Sequence, residues 1–135
     1  MERLGAADAL FYAGHYGECI YVAGLAVECT LRAHLVRRDP EFDSRHDLRD
    51  LLKASGLSDL VPESQRRRLT ICLAEIWARW RNSYRFLPAA ELKADLHRRG
   101  LLHRLKGDPL KANARRLLDC SRDIVGMGYY LWRRS

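Results

Sequence analysis

The chain is poor in the residues that build sheets. Valine and isoleucine together number nine among 135 residues, and no alternating β-branched run occurs, which argues against strands. No Cys-x-x-Cys pair is present. Cys19, Cys29, Cys72 and Cys120 are scattered among apolar neighbours, as suits reduced, buried thiols rather than a disulfide framework or a zinc site. His97 and His103 stand six apart, a spacing that does not share a helix face, so no metal pair is expected there. A Gly-rich phosphate loop, paired catalytic carboxylates and a nucleophile elbow are all missing, and no cofactor is implied. No apolar run approaches the ~20 residues of a membrane span. The longest, Cys19 to Leu31, is interrupted by Glu28. Met1-Glu2-Arg3 lacks the basic-then-apolar layout of a signal peptide. The expectation is a cytoplasmic protein with no membrane partner.

What the chain does have is arginine. It supplies 20 of the 24 basic residues, for a net charge of +7 and a pI near 9.6. Such a balance favours an acidic partner: RNA, a nucleotide or an acidic protein. The charge is spread along the whole chain rather than gathered in one run. The length suits a single domain over residues 1–135 with its own core. Apolar (47%) and charged (30%) fractions are those of an ordinary globular protein.

Apolar residues recur at threes and fours, so the sequence predicts an all-α fold, a single antiparallel bundle of about five helices. The first helix is expected from about Glu2 to Tyr16, with Leu4, Ala7, Leu10 and Phe11 inward and a break bracketed by Gly14 and Gly17. The second, from about Glu18 to Arg38, is apolar on nearly all sides and reads as the central helix. Its main stripe is Ile20, Ala23, Val27, Leu31 and Leu35. Asp39-Pro40 stops it. A short third helix spans about His46 to Ser55, before Gly56. The fourth starts at Pro62 and is expected to reach Phe86, burying Leu69, Cys72, Leu73, Ile76, Trp77 and Trp80. Arg66-Arg67-Arg68 reads as its solvated face. Ala89 to Arg99 reads as a polar helical extension ending at Gly100. The last helix follows the Asp108-Pro109 cap and runs to about Trp132, with Leu118, Val125 and Tyr129 widening its apolar face.

Three segments resemble the HEPN domain family. Ala26-Val27-Glu28-Cys29-Thr30-Leu31-Arg32-Ala33 is similar to the Ala-x-Glu-x-x-Leu-Lys/Arg-Ala of that family's second helix. His46-Asp47-Leu48-Arg49-Asp50-Leu51-Leu52 resembles the start of its third. Tyr84-Arg85-Phe86-Leu87-Pro88 resembles the Arg-Tyr/Phe-Pro end of a long helix in some members. Their order and spacing agree, and together they span most of the chain. On the residues alone, Glu28 within an apolar helix needs a cationic or hydrogen-bonding partner, and Arg85 is one candidate. Either the pair locks the bundle or it serves a nucleotide or RNA site. His46 either caps its helix or joins that site.

The resemblance also implies an activity to test. Many HEPN proteins are metal-independent RNases whose motif is an Arg, four to six residues, then a His. Cleavage through the ribose 2′-hydroxyl needs a general acid or base near neutral pH, which His supplies. It also needs a fixed cation against the phosphorane charge, which Arg supplies. Arg98 and His103 match that spacing, with Arg99 in a slot that the family usually fills with Asn, Asp or His. Arg81-Asn82 has the usual start but no His where one should follow. The catalytic candidates are therefore Arg98 and His103. The nucleotide- or RNA-binding candidates are Arg81, Arg85, Glu28 and His46. The family implies a homodimer, and for stand-alone chains often a small nucleotidyltransferase partner in a toxin–antitoxin or defence pair. The alternative is a non-catalytic binding or assembly module.

Overall fold

A computed structural model describes residues 2–41, 48–80, 84, 87–101 and 108–134. Among these residues there are seven helices and no strand: α1 (Glu2–Tyr12), α2 (Tyr16–Arg38), α3 (Leu48–Ser55), α4 (Leu57–Leu60), α5 (Glu63–Arg79), α6 (Ala89–Arg98) and α7 (Pro109–Arg134). The chain is all-α, as its periodicity implies.

α1 stops four residues before the expected end, because Gly14 takes a left-handed φ of 84°. Gly14 N–H then bonds the Phe11 carbonyl and His15 N–H the Leu10 carbonyl, the paired bonds of a Schellman cap. α2 runs through its whole apolar stretch. Its stripe residues Ile20, Ala23, Val27, Leu31 and Leu35 are all buried. It ends at Asp39, extended at φ −146°, ψ 91°, as the following proline requires. By length and composition α2 is apolar enough to cross a membrane. More than half of its most apolar stretch is buried within the bundle, so its hydrophobicity is used as core. α3 and α4 are joined through Ser55, whose hydroxyl donates to the Leu52 carbonyl and accepts from Leu57 N–H. The short α4 had no separate signal in the sequence.

α2 lies at the centre, packed against α1, α3 and α7. α1 runs antiparallel to α7, as Arg122–Asp8 and Arg115 over Phe11 show. α5 is also antiparallel to α7, through Arg68–Asp123 and Arg79–Asn113. α2 and α7 run the same way, since His34 meets Gly128 and Arg37 meets Trp132. At the head of α7, Asp108 Oδ1 accepts from Leu110 and Lys111 N–H, the expected side-chain cap.

Four further expectations need correction. The helix predicted to reach Phe86 ends at Arg79, because Trp80 is extended at φ −113°, ψ 139°. Its indole lies against Gly24 of α2 and its Nε1–H donates to the Tyr21 carbonyl at 3.0 Å, a tertiary contact that overrides the local helical pattern. Trp77 is 39% exposed rather than core. It stands about 100° around the helix from Ile76, off the buried stripe. Tyr129 likewise faces outward, one residue beyond buried Gly128. α6 is no mere polar extension, since Leu92 and Leu96, one turn apart, are both buried.

Cys19 and Cys72 are buried, and burial raises each thiol from 9.0 to about 12. Cys120 is raised by the same cause. Thiolate, the reactive form, is therefore scarce at these sites. In native protein near pH 8, alkylation is expected at half-buried Cys29 first. Peptide mapping that finds Cys19 or Cys72 modified as fast as Cys29 would contradict this packing. A raised folded-state pKa also means stability that is complete below the unfolded value and lost as pH rises from about 9 toward 12.

Candidate functional site

Two polar networks gather four chain segments at one end of the bundle. The first centres on Arg79, the last residue of α5, only 7% exposed. Its Nε donates to Glu75 Oε2 at 2.8 Å, one turn back. Its Nη1 donates to Asn113 Oδ1 of α7 and, at 3.2 Å, to the Leu101 carbonyl. Asn113 is fully buried and returns a bond from Nδ2 to the Pro109 carbonyl. One guanidinium thus joins α5, the chain leaving α6 and the first turns of α7. A planar fork can serve acceptors in several directions at once.

The second network centres on Arg99. Its Nη2 donates to the Ala78 carbonyl, at the C-terminal end of α5, and its Nη1 to Tyr84 OH at 2.7 Å. Tyr84 OH donates in turn to Asp95 Oδ2 at 2.6 Å. Asp95 also faces the Arg99 guanidinium at 3.6 Å. One of the α5 carbonyls that helix geometry leaves over, that of Ala78, is therefore covered by the cation that caps α6. Gly100, with φ 71°, closes α6 by the same paired bonds as Gly14, Gly100 N–H to His97 and Leu101 N–H to Leu96. That turn delivers Leu101 to Arg79.

Arg98 points the other way. Its side chain is 73% exposed and meets Asp95 Oδ1 at 3.3 Å. Glu28 is 2% exposed and pairs with Arg32 at 3.1 Å, one turn along α2. His46, Arg81, Arg85 and His103 lie outside the described residues, as does any Glu28–Arg85 contact. The structure thus describes Arg98 and Glu28 of the six candidate residues, the one meeting Asp95 and the other Arg32. Among the described residues no group of His, Cys, Asp and Glu could hold a metal.

Sequence reading missed the pairing of Arg79 with Asn113 and of Arg99 with Asp95. Arginine is so frequent that none stood out. The usable signals were Asn113 within the apolar face of α7 and the paired Asp95/Arg99 at helical spacing.

A model of the HEPN domain family matches residues 1–127. No curated protein and no solved structure matches the chain.

Proposed function

Because the chain belongs to the HEPN domain family, we propose that it is an RNA-interacting protein that grips the phosphodiester backbone where α5, α6 and α7 meet. The observation that carries this reading is the double tether at that end, Arg79 to Leu101 and Arg99 to Ala78. These tethers, with Trp80, Tyr84 and Asp108, hold the chain at the borders of short basic stretches. Arg81, Arg85, Arg98, His103, Arg104 and Lys106 all stand within a few positions of them in sequence. Cations held on anchored backbone bind phosphates with less loss of conformational freedom than cations on a free chain. Glu28 acts from inside α2 by holding Arg32, and His46 joins the RNA-binding set.

Within this reading Arg98 and His103 form the reactive pair. His103 takes the 2′-hydroxyl proton as the 2′-oxygen bonds to phosphorus, Arg98 neutralises charge on the phosphorane, and the P–O5′ bond then breaks with the 5′-oxygen taking a proton from water. The products are a 2′,3′-cyclic phosphate and a 5′-hydroxyl, and the step draws on no metal. A homodimer sets two such sites side by side. A nucleotidyltransferase-type protein is the proposed partner of this cytoplasmic toxin or defence component. One observation favours the second reading, a non-catalytic module: Arg99, in the motif's polar slot, is committed to Ala78, Tyr84 and Asp95 and is not offered to substrate.

The test is RNA cleavage in a chelating buffer by wild type, Arg98→Ala and His103→Ala. Cyclic-phosphate ends, lost in both variants, are the expected result. RNA binding without cleavage supports the module. Folded protein that neither binds nor cleaves RNA overturns the RNA reading altogether.

A further inference from the structure

The other end of the bundle carries a second feature. There α2 and α7 finish side by side, and four arginines, Arg37, Arg38, Arg133 and Arg134, lie in their last turns. Cations at helix C-termini are favoured by the helix dipole, which accounts for their presence. It does not account for the aromatic rings beside them. Arg37 Cζ sits 3.2 Å from the Trp132 ring centroid, and its Nη1 donates to the Trp132 carbonyl. Arg133 lies over Tyr129 at 5.8 Å and Arg134 over Tyr130 at 5.2 Å, each one turn along α7. Arg134 also bonds Tyr130 OH.

This comb is fixed from beneath. His34 is buried, and its Nε2 lies 2.9 Å from the Gly128 carbonyl. A carbonyl only accepts, so Nε2 carries the proton. The His34 ring also meets the Trp132 ring edge-on at 5.4 Å. Between the two helices opens a cavity of about 230 Å³, lined by Thr30, Ala33, His34, Val125, Tyr129 and Trp132. Tyr129 and Tyr130 remain 47% and 54% exposed, so their outer faces are open to stacking.

We propose that this arginine–aromatic comb is a second contact for single-stranded RNA, with bases stacking on Tyr129 and Tyr130 and phosphates held by Arg133 and Arg134. Aromatic faces beside fixed cations are the combination that single strands recognise, and unstacked bases are what a duplex withholds. The inference rests on the RNA-binding role proposed above and extends it to a second place. Asn113, at the first site, and Trp132 are 19 residues apart on α7, or about 28 Å at ~1.5 Å per residue. A strand touching both ends needs about eight stacked nucleotides at ~3.4 Å each.

The experiment is fluorescence anisotropy with a labelled single-stranded RNA of about sixteen nucleotides. The variants are Tyr129→Ala/Tyr130→Ala, Arg133→Ala/Arg134→Ala, and Arg81→Ala/Arg98→Ala. All substitutions at the α7 end replace exposed side chains, and circular dichroism checks the fold. The tyrosine pair is expected to weaken binding about thirtyfold or more with the salt dependence unchanged. The arginine pair should lower the slope of log K against log salt by about 1.4. Unchanged binding by both C-terminal variants, with loss in Arg81→Ala/Arg98→Ala, overturns the comb alone. Loss in the C-terminal variants with Arg81→Ala/Arg98→Ala unaffected keeps the comb and overturns the other site. Wild type that binds no RNA overturns both.

Discussion

Gly24→Ala is expected to lower thermal stability by about 10 °C, although alanine is the better helix former. The substitution gains ~1 kcal/mol of helix propensity. It also places a methyl group inside the van der Waals envelope of Trp80, against Cγ, Cδ1 and Nε1. These atoms belong to the rigid root of an indole that is 4% exposed and bonded to the Tyr21 carbonyl. They cannot swing aside as the tip of a flexible chain would. Expelling the ring costs about 3–5 kcal/mol, as for removal of a large buried side chain. The net loss is therefore about 2–4 kcal/mol, which for a domain of this size is roughly 10 °C. Thermal melts followed by circular dichroism, with tryptophan emission as a second probe, measure it. The emission should shift red as Trp80 meets water. An unchanged or higher midpoint would show that α2 and Trp80 are not in this contact.

Arg79→Ala is expected to cost about 3 kcal/mol. Removing one partner of a buried ion pair typically costs ~3–5 kcal/mol, because the other is left without its counter-charge. Glu75 is 30% exposed and also faces Arg116 at 3.9 Å, so water and that second cation recover part of the loss and the lower figure applies. The substitution also takes the donor from Asn113 Oδ1 and the Leu101 carbonyl. Urea titration should show a lower midpoint with an unchanged slope. Arg79→Lys should rescue little, since one ammonium on a flexible stem cannot reach three acceptors on three segments in the guanidinium's fixed geometry. A lysine variant as stable as wild type would mean that charge alone matters here. Because Arg79 fixes Leu101, the alanine variant should also weaken RNA binding at concentrations of denaturant where it is still folded.

Much of the bundle was legible in sequence because its signals are local. The stripe of α2, the Asp39-Pro40 stop, the Gly14 and Gly100 turns and the Asp108 cap each arise from residues within one or two turns of one another. The end of α5 was not legible. Nothing near Trp80 breaks a helix; what breaks it is a glycine 56 positions earlier in the chain, where α2 leaves room for an indole. The polar networks were hidden for a similar reason. Arg79 and Arg99 look like any of the chain's 20 arginines until folding brings Leu101, Asn113 and Ala78 to them. The Arg98–His103 spacing is visible in sequence, but the inward commitment of Arg99 is not. That orientation weakens the match to an active motif. The aromatic comb is not legible in the sequence because helical spacing places Tyr129 on the apolar face of α7. Only the burial of Gly128 against Thr30 and His34 shows which way that last stretch is turned.

The central claim, that the chain binds RNA through cations at the α5–α6–α7 end, is tested most directly by RNA affinity across a salt series. Wild type is compared with Arg81→Ala, Arg85→Ala and Arg98→Ala. Affinity should fall linearly on logarithmic axes as salt rises, and each variant should reduce the slope by about 0.7, the share of one single-strand phosphate contact. Salt-insensitive association, or slopes that none of the three substitutions changes, would contradict the account.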